Sequence, residues 1–272
     1  MIKAAVLGSP ISHSLSPLLH TVAYAEMGLE SDYSRIEIKS GELRAFLNQC
    51  DSSWTGFSLT MPLKEEVLAF TEDLADLARR IKSANTLLQK DSNWSATTTD
   101  VTGITHALAS HNADASGHVL IIGGGATARA AAAACDGVAS KITIMNRSQS
   151  RIADLSNAVA TSDLEFISWA DESAFELADL IISTTPEGAC DSLVPIFPRK
   201  PSGILFDVLY KPWPTLALST WSERGGQVID GLDLLIHQAI DQVSIFSGEL
   251  VERSSMAALM RRHGLKALTS ST

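Results

Sequence analysis

The segment whose spacing most clearly indicates chemistry is a glycine-rich turn in the middle of the chain. The apolar run 118–122 is followed by Gly123-Gly124-Gly125-Ala126-Thr127-Ala128, which has the G-x-G-x-x-A spacing of dinucleotide-binding turns. Gly123 permits the tight turn, Gly125 lets the backbone approach a pyrophosphate, and Ala128 allows close helix–strand contact. The N–H groups that begin the next helix then bind the phosphates. The sequence therefore predicts a dinucleotide site here, with an ordinary tight turn as the alternative.

The end of the next predicted strand indicates which dinucleotide is bound. In NAD-binding versions this strand commonly ends in Asp or Glu, which accepts a hydrogen bond from the ribose 2′-hydroxyl. Here it ends in Asn146-Arg147-Ser148, and Arg151 lies one turn into the following helix. A guanidinium pairs with a 2′-phosphate through two hydrogen bonds, whereas a carboxylate would repel it. We therefore predict NADP(H), with solvated surface arginines as the alternative.

Four polar clusters in the first part of the chain stand at the ends of predicted strands, where α/β sheets build their sites. They are 14–16, 58–64, 83–86 and 99–103. Singly, Ser14, Ser16 and Asp100 are equally explained as helix caps and Lys64 as a solvated lysine. A ketone that receives a hydride also needs a proton, and an ammonium such as Lys64 can stabilise the oxygen and donate that proton. Together the clusters predict an oxidoreductase site.

Alternating strand and helix patterns position these residues and predict an α/β fold. Strands are predicted at 4–7, 33–38, 55–60, 86–89, 94–98, 118–122, 141–145, 180–183 and 203–208. Helices are predicted at 16–28, 42–50, from Pro62, at 73–82, 127–135 and 151–159, and from Gly231 to the end, with Ser16 as an N-cap. From residue 118 onward the alternation indicates parallel strands joined by crossover helices.

Composition limits the class of protein. A chain of 272 residues is long enough for two domains, and its 45% apolar and 19% charged residues indicate folded cores. The net charge of −10 argues against a nucleic-acid partner. Three cysteines without a CxxC pair suit a cytoplasmic protein, and the histidines lack metal-ligand spacing, so no metal is expected. No signal peptide or transmembrane helix is predicted, and no membrane partner is expected.

Over nearly its whole length the sequence resembles the shikimate dehydrogenase family. The similar segments, in chain order, are 8–17, 56–64, 84–86, 99–103, the Gly123 turn, 146–148, 207–210 and 231–239. The resemblance implies NADPH-dependent, reversible reduction of 3-dehydroshikimate to shikimate in aromatic amino-acid (chorismate) biosynthesis. It implies an N-terminal α/β substrate domain, 1–101, completed by C-terminal helices returning at 232–272. A Rossmann-type, doubly wound NADP-binding domain would span 102–231, with the site in the cleft between the domains.

The family's roles are carried over position by position. Ser14 and Ser16 would bind the substrate carboxylate, and Lys64 would be catalytic beside Asp100. The substrate contacts would further include Thr60, Asn85, Asp100, Tyr210 and Gln238. The cofactor contacts would be Asp76, Gly123, Gly124, Gly125, Ala126, Thr127, Asn146, Arg147, Ser148, Arg151, Val208 and Gly231. Ser58, Thr99 and Ala126 depart from the commonest family pattern, but Ser and Thr retain hydrogen-bonding ability, which keeps the reaction class.

Three other interpretations compete with this one. A quinate/shikimate dehydrogenase using NAD is the nearest, and Arg147 argues against it. A non-catalytic NADP(H)-binding regulatory paralogue is a second, and the presence of both Lys64 and Asp100 argues against it. A serine hydrolase is a third, but the segment 56–60 lacks the closing glycine of a nucleophile elbow. A homodimer is left open.

Overall fold

A computed structural model of the chain describes residues 1–90 and 93–270. The chain divides into two compact units, one formed by residues 1–99 together with 235–272 and the other by residues 100–234. We call them unit 1 and unit 2. None of the helices in the described ranges has both the length and the hydropathy that a bilayer crossing requires.

Unit 1 is built on a mixed, six-stranded sheet. Its strands are β1 (Ile2–Gly8), β2 (Ser31–Glu37), β3 (Gly56–Leu59), β4 (Asp73–Leu74), β5 (Thr86–Lys90) and β6 (Asn93–Thr97). They are ordered β2-β1-β3-β5-β6-β4, with β1 parallel to β2 and β3, and β5 antiparallel to both its neighbours. All of β3 and most of β1 are buried, as expected for strands covered on both faces.

Short helices and the C-terminal segment complete unit 1. The helices are α1 (Ser16–Glu26), α2 (Leu43–Leu47), α3 (Leu63–Glu66), α4 (Asp76–Arg80) and α11 (Arg253–Thr269), and α10 (Gly231–Ser247) continues into this unit from unit 2. Helix α1 packs against α11, so the end of the chain returns to the N-terminal fold. Leu7, Phe57 and Leu87, from three adjacent strands, are fully buried in one core.

Unit 2 has a parallel sheet of six strands. They are β7 (His118–Ile122), β8 (Lys141–Met145), β9 (Asp163–Ile167), β10 (Leu180–Ser183), β11 (Ile204–Asp207) and β12 (Gln227–Ile229). The order β12-β11-β10-β7-β8-β9, with every pair parallel, is the 3-2-1-4-5-6 order of a doubly wound dinucleotide-binding sheet. The helices are α5 (Asp100–Ser110), α6 (Ala126–Cys135), α7 (Ile152–Ala158), α8 (Ser173–Leu177) and α9 (Leu216–Glu223).

The strands β7, β8 and β10 are confirmed with the predicted bounds, but other elements differ. The helix predicted over 73–82 is wrong at its start, where Asp73–Leu74 pairs with β6 as β4 and Ala75 N–H donates to Ala96 O at 2.9 Å. Sheet pairing thus overrides the local helical pattern. Ser16 is not the N-cap of α1, because Leu15 occupies that position and Ser16 is already helical. The edge strands β9 and β12 and the short helices α8 and α9 were not predicted.

Asp136, at the C-terminal end of α6, gives a testable pH dependence. Its Oδ1 accepts from the N–H groups of Thr161 (2.9 Å) and Ser162 (3.1 Å), and its Oδ2 from Ala160 N–H (3.0 Å). Partial burial raises the pKa of Asp136, but these hydrogen bonds outweigh burial and lower the pKa from 3.8 to about 2. Because the folded pKa is depressed, this stabilisation is present above about pH 4 and is lost as the pH falls toward 2.

We expect Asp136→Asn to lower the free energy of unfolding at pH 7 by about 1 kcal/mol, a value kept small because solvent screens this carboxylate. Denaturant titrations of parent and variant at pH 7 and at about pH 3 measure the difference. The difference should narrow at the lower pH, because there the Asp136 carboxyl of the unfolded parent chain, with an ordinary pKa of about 3.9, is mostly protonated while that of the folded chain is still mostly charged. A difference of equal size at both values would contradict the assignment.

Candidate active site

The glycine-rich turn of unit 2 lies where the direction of strand order changes. The turn connects β7 to α6, and β7 lies next to β10 in the sheet. The strand order reverses between β7 and β10, and open α/β sheets bind their ligands at such a switch point. Gly123 has a φ of +120°, and a Cβ at this position would lie 2.5 Å from Thr184 Oγ1, just beyond β10. Glycine alone suits both the conformation and the space. The tight turn predicted from the sequence is present.

The remainder of the turn leaves open space at the start of α6. A Cβ on Gly124 would lie 2.6 Å from Asn146 Nδ2, whereas a Cβ on Gly125 would have no neighbour within 4 Å. Gly125 occupies the N-cap position of α6 and supplies no side chain to cap it. The first N–H groups of a helix have no partner within it, so this end suits an anion. Ala128 is fully buried, as close helix–strand packing requires.

The segment after β8 borders a cavity of about 330 Å³. Asn146 Nδ2 donates to Ser148 O at 2.8 Å, which folds the segment into a compact turn. Arg147 is exposed, and its guanidinium carbon lies 5.1 Å from the centre of the Trp169 ring, within cation–π range. The cavity is lined by residues 146–149, 152 and 166–169. A guanidinium beside a flat aromatic ring can bind a phosphate next to a planar base.

A second turn of unit 2 brings together three predicted site residues. The turn follows β11 and contains two of them, Val208 and Tyr210, and the third, Gly231, is the first residue of α10. Gly231 N–H donates to Leu209 O at 3.3 Å, and a Cβ on Gly231 would overlap the Val208 carbonyl. Asp207 Oδ1 accepts from Leu209 N–H at 3.3 Å, and burial raises the pKa of Asp207. The turn and the start of α10 are thus packed backbone to backbone.

In unit 1 the ends of β1 and β3 lie side by side. Thr60 N–H donates to Leu7 O at 2.9 Å, and a Cβ on Gly8 would overlap the Thr60 side chain. Ser14 and Ser16, which follow β1, are both buried, and Ser16 N–H donates to Ser14 Oγ at 3.3 Å. Ser14 therefore supports the first turn of α1, while Ser16 is a buried hydroxyl on its first residue.

Backbone hydrogen bonds join α3 and β3 to the segment 84–85, which leads into β5. Lys64 is the second residue of α3 and is half-buried, and its carbonyl accepts from Ala84 N–H at 2.9 Å. Asn85 O accepts from Leu59 N–H at 2.7 Å, at the end of β3. The clusters predicted around 58–64 and 83–86 are therefore one structural group.

The Asn85 side chain is the hub of the buried polar groups in unit 1. Its Oδ1 accepts from Thr99 N–H at 2.8 Å, and its Nδ2 donates to Thr99 Oγ1 at 2.9 Å and to Gln238 Oε1 at 3.3 Å. Asp100, 3% exposed, follows Thr99 in the chain and is the first residue of α5. Neutral amides and hydroxyls of this kind can bind a molecule that carries hydroxyl groups. Helix α3 of the same unit adds one ammonium group, that of Lys64.

Comparison with known proteins identifies the relatives of this chain. Residues 6–87 match the family model of the shikimate dehydrogenase substrate binding domain, and residues 106–190 match that of shikimate / quinate 5-dehydrogenase. A protein of Staphylococcus epidermidis (strain ATCC 12228), named shikimate dehydrogenase (NADP(+)), is 30% identical over 252 residues, covering 90% of this chain and 91% of the relative. The chain belongs to the shikimate dehydrogenase family.

Solved structures of shikimate dehydrogenases are similar over almost the full length. That of Mycobacterium tuberculosis has a TM-score of 0.85 and 34% identity, covering 96% of this chain and 99% of the other. Shikimate 5-dehydrogenase from Thermus thermophilus, in complex with NADP(H) and shikimate, has a TM-score of 0.85 and 29% identity, covering 97% and 100%. The predicted fold class, a substrate domain and a Rossmann-type domain with returning C-terminal helices, is confirmed.

Within this shikimate dehydrogenase fold the predicted residues divide between the two units. Unit 1 holds Ser14, Ser16, Thr60, Lys64, Asn85 and Gln238, while unit 2 holds Asp100 and Tyr210 and every predicted cofactor residue except Asp76. Asp76 is exposed at the start of α4 in unit 1. Sequence reasoning missed Trp169, which contacts Arg147 and follows the unpredicted β9, and Gln242, whose Nε2 donates to the Asn85 backbone oxygen at 3.0 Å. The second could have been found, since it lies four residues after Gln238 on one helix face.

Proposed function

We propose that this chain catalyses the NADPH-dependent, reversible reduction of 3-dehydroshikimate to shikimate. The observation that carries the proposal is the coexistence of an open glycine turn at the switch point of unit 2 with the buried Asn85 hub of unit 1. The relatives that cover nine-tenths of the chain are named for this reaction with NADP(+). The net charge of −10 supports a small-molecule enzyme without a nucleic-acid partner.

The residues of unit 2 fit NADP(H). The turn 123–127 would hold the pyrophosphate, because the open position at Gly125 admits it and the helix N–H groups of α6 attract negative charge. Asn146, Arg147, Ser148 and Arg151 would hold the 2′-phosphate end, where Arg147 lies over Trp169. Val208 and Gly231 would border the nicotinamide end, and Asp76 would be a further cofactor contact. When bound, the cofactor supplies the hydride.

The residues predicted to contact the substrate fit a polyhydroxy carboxylic acid. Ser14 and Ser16 would bind the carboxylate through their hydroxyls, and Thr60, Asn85, Asp100, Tyr210 and Gln238 would bind ring hydroxyls. Lys64 would donate a proton to the ketone oxygen as that oxygen becomes negative. Asp100 would accept a hydrogen bond from the substrate and stabilise the positive charge on Lys64. These roles need no metal.

A spectrophotometric assay tests the proposed reaction. The purified chain is mixed with 3-dehydroshikimate and NADPH, and loss of absorbance from the reduced nicotinamide is followed, with NADH as the comparison. We expect turnover with NADPH and weak turnover with NADH. Dehydroquinate in place of dehydroshikimate addresses the quinate alternative, and absence of turnover with every pair would favour the non-catalytic paralogue.

The two serines give a prediction that separates substrate binding from helix support. We expect Ser16→Ala to raise KM for 3-dehydroshikimate by about 10-fold, the cost of one hydrogen bond to a charged group, without changing KM for NADPH. Ser14→Ala should raise the same KM and also lower the melting temperature, because Ser14 Oγ accepts Ser16 N–H. Initial rates and thermal unfolding measure both. Unaltered kinetics with a lowered melting temperature would leave the serines as structural residues.

A further inference from the structure

A chain of side-chain hydrogen bonds runs through the core of unit 1 and ends on Asn85. The Tyr33 hydroxyl donates to Ser58 Oγ at 2.6 Å, and Ser58 donates to Gln242 Oε1 at 2.7 Å. Gln242 Nε2 donates to Thr86 Oγ1 at 2.9 Å and to the backbone oxygen of Asn85 at 3.0 Å. Thr86 donates to Asn85 Oδ1 at 2.9 Å. We call Tyr33, Ser58, Gln242 and Thr86 the relay.

The polarity of the relay is fixed by its ends. The backbone carbonyl of Asn85 can only accept a hydrogen bond, so the Gln242 amide must direct its Nε2 toward that oxygen. The Gln242 Oε1 atom is then the acceptor for Ser58. The one proton of the Ser58 hydroxyl is then used on Gln242, so Tyr33 must be the donor to Ser58. Burial raises the pKa of Tyr33 well above its usual range, so the phenol keeps its proton. The relay therefore has one arrangement.

Burial protects this arrangement from water. The four relay residues are at most 7% exposed, and Gln242 is 1% exposed. The ring of His20 stacks on Tyr33 with ring centres 3.9 Å apart, and burial lowers the pKa of His20 to about 3, so it is neutral. Breaking one link would leave a buried donor or acceptor without a partner, which is costly in a core.

Thr99 and Thr86, the last member of the relay, together fix the orientation of the Asn85 amide. Thr99 N–H and the Thr86 hydroxyl both donate to Oδ1, so the amide cannot be reversed without placing Nδ2 against two donors. The Nδ2 group is thereby directed to Thr99 Oγ1 and Gln238 Oε1. Gln242 and Gln238 are four residues apart on α10, so one helix face presents both amides.

We propose that Gln242 is a positioning residue that, through Thr86 and the Asn85 backbone oxygen, fixes the orientation of the Asn85 amide, with Nδ2 toward Thr99 and Gln238, for substrate binding. This inference rests on the proposed function, in which Asn85 contacts shikimate. Gln242 belongs to unit 1, whereas the glycine-rich turn 123–127 belongs to unit 2. Loss of Gln242 therefore changes the affinity for shikimate while the affinity for NADPH stays the same.

Gln242→Met tests the proposal, because methionine keeps the length of the side chain and removes the amide. We expect Kd for shikimate, measured by calorimetry, and KM for shikimate to rise about 10-fold, with Kd for NADPH unchanged. Thr86→Val removes the hydroxyl that donates to Asn85 and nearly keeps the shape of the side chain. It should raise Kd and KM for shikimate by a similar factor. Val243→Ala is the matched control, since this fully buried neighbour on α10 is apolar and its truncation lowers stability alone.

Double variants and a spectroscopic readout separate positioning from general damage. When Asn85 is already alanine, the further change Gln242→Met should alter Kd for shikimate less than 2-fold. If the double variant instead showed the product of the two single-variant effects on Kd, the proposal would be overturned. The side-chain amide NMR signals of Asn85, assigned by their loss in Asn85→Ala, should move in Gln242→Met and stay in Val243→Ala. Unmoved signals in Gln242→Met refute the relay, whereas a parent chain that neither binds nor oxidises shikimate refutes the proposed function.

Discussion

Replacing Lys64 by alanine is expected to lower kcat by about 10²- to 10⁴-fold, the usual contribution of a positioned acid or base. The ammonium is proposed to act on charge that develops mainly in the transition state, so KM for 3-dehydroshikimate should change far less than kcat. Steady-state rates with NADPH over a range of substrate concentrations measure both constants.

Two further variants control this result. Lys39→Ala removes an exposed lysine of the same unit and should leave kcat unchanged. Lys64→Arg keeps the positive charge but makes a much poorer proton donor at neutral pH, since arginine stays protonated. If Lys64→Arg retained most of the activity lost in Lys64→Ala, charge stabilisation and not proton donation would be the role of Lys64. A kcat within a few-fold of the parent in Lys64→Ala would leave it a surface lysine.

The glycine-rich turn after β7 was predictable because its tight backbone restricts residue type locally. Gly123 must adopt a positive φ against Thr184, and Ala128 must pack closely, so the requirements appear as a spacing within one segment. The buried runs of β7 and β8 were predictable for a similar reason, since a strand covered on both faces is uniformly apolar. Both signals are contained in fewer than about 12 consecutive residues.

Elements whose state depends on distant partners were not predictable. Asp73 and Leu74 form a strand only because β6 offers them a parallel edge, and nothing in their own sequence distinguishes them from a helix start. The strand β9 carries exposed Asp163 and Glu165 at the edge of its sheet, which weakens its apolar pattern. Gln242 reaches Ser58 across 184 positions of sequence, so its role appears only when the chain is folded.

Arg147 is the residue that we propose to select between the two nicotinamide cofactors. Its guanidinium is exposed, lies over Trp169 and borders the cavity after β8, where the ribose 2′ position of a bound dinucleotide would be expected. A charge-assisted hydrogen bond contributes roughly 1.5–3 kcal/mol, which is about 10- to 150-fold in affinity. Because solvent screens an exposed group, we expect Arg147→Ala to raise Kd for NADPH by about 10- to 30-fold, near the lower end.

The same substitution should leave Kd for NADH nearly unchanged, because NADH has no 2′-phosphate for Arg147 to contact. Calorimetric titration of parent and Arg147→Ala with each dinucleotide measures the four constants, and Arg199→Ala, which removes another exposed arginine of unit 2, is the control. Raising the ionic strength should weaken NADPH binding to the parent more than to the variant, since salt screens the pair that the variant lacks. Equal losses of affinity for NADPH and NADH would instead mean that Arg147 shapes the cavity through Trp169 without reading the 2′-phosphate.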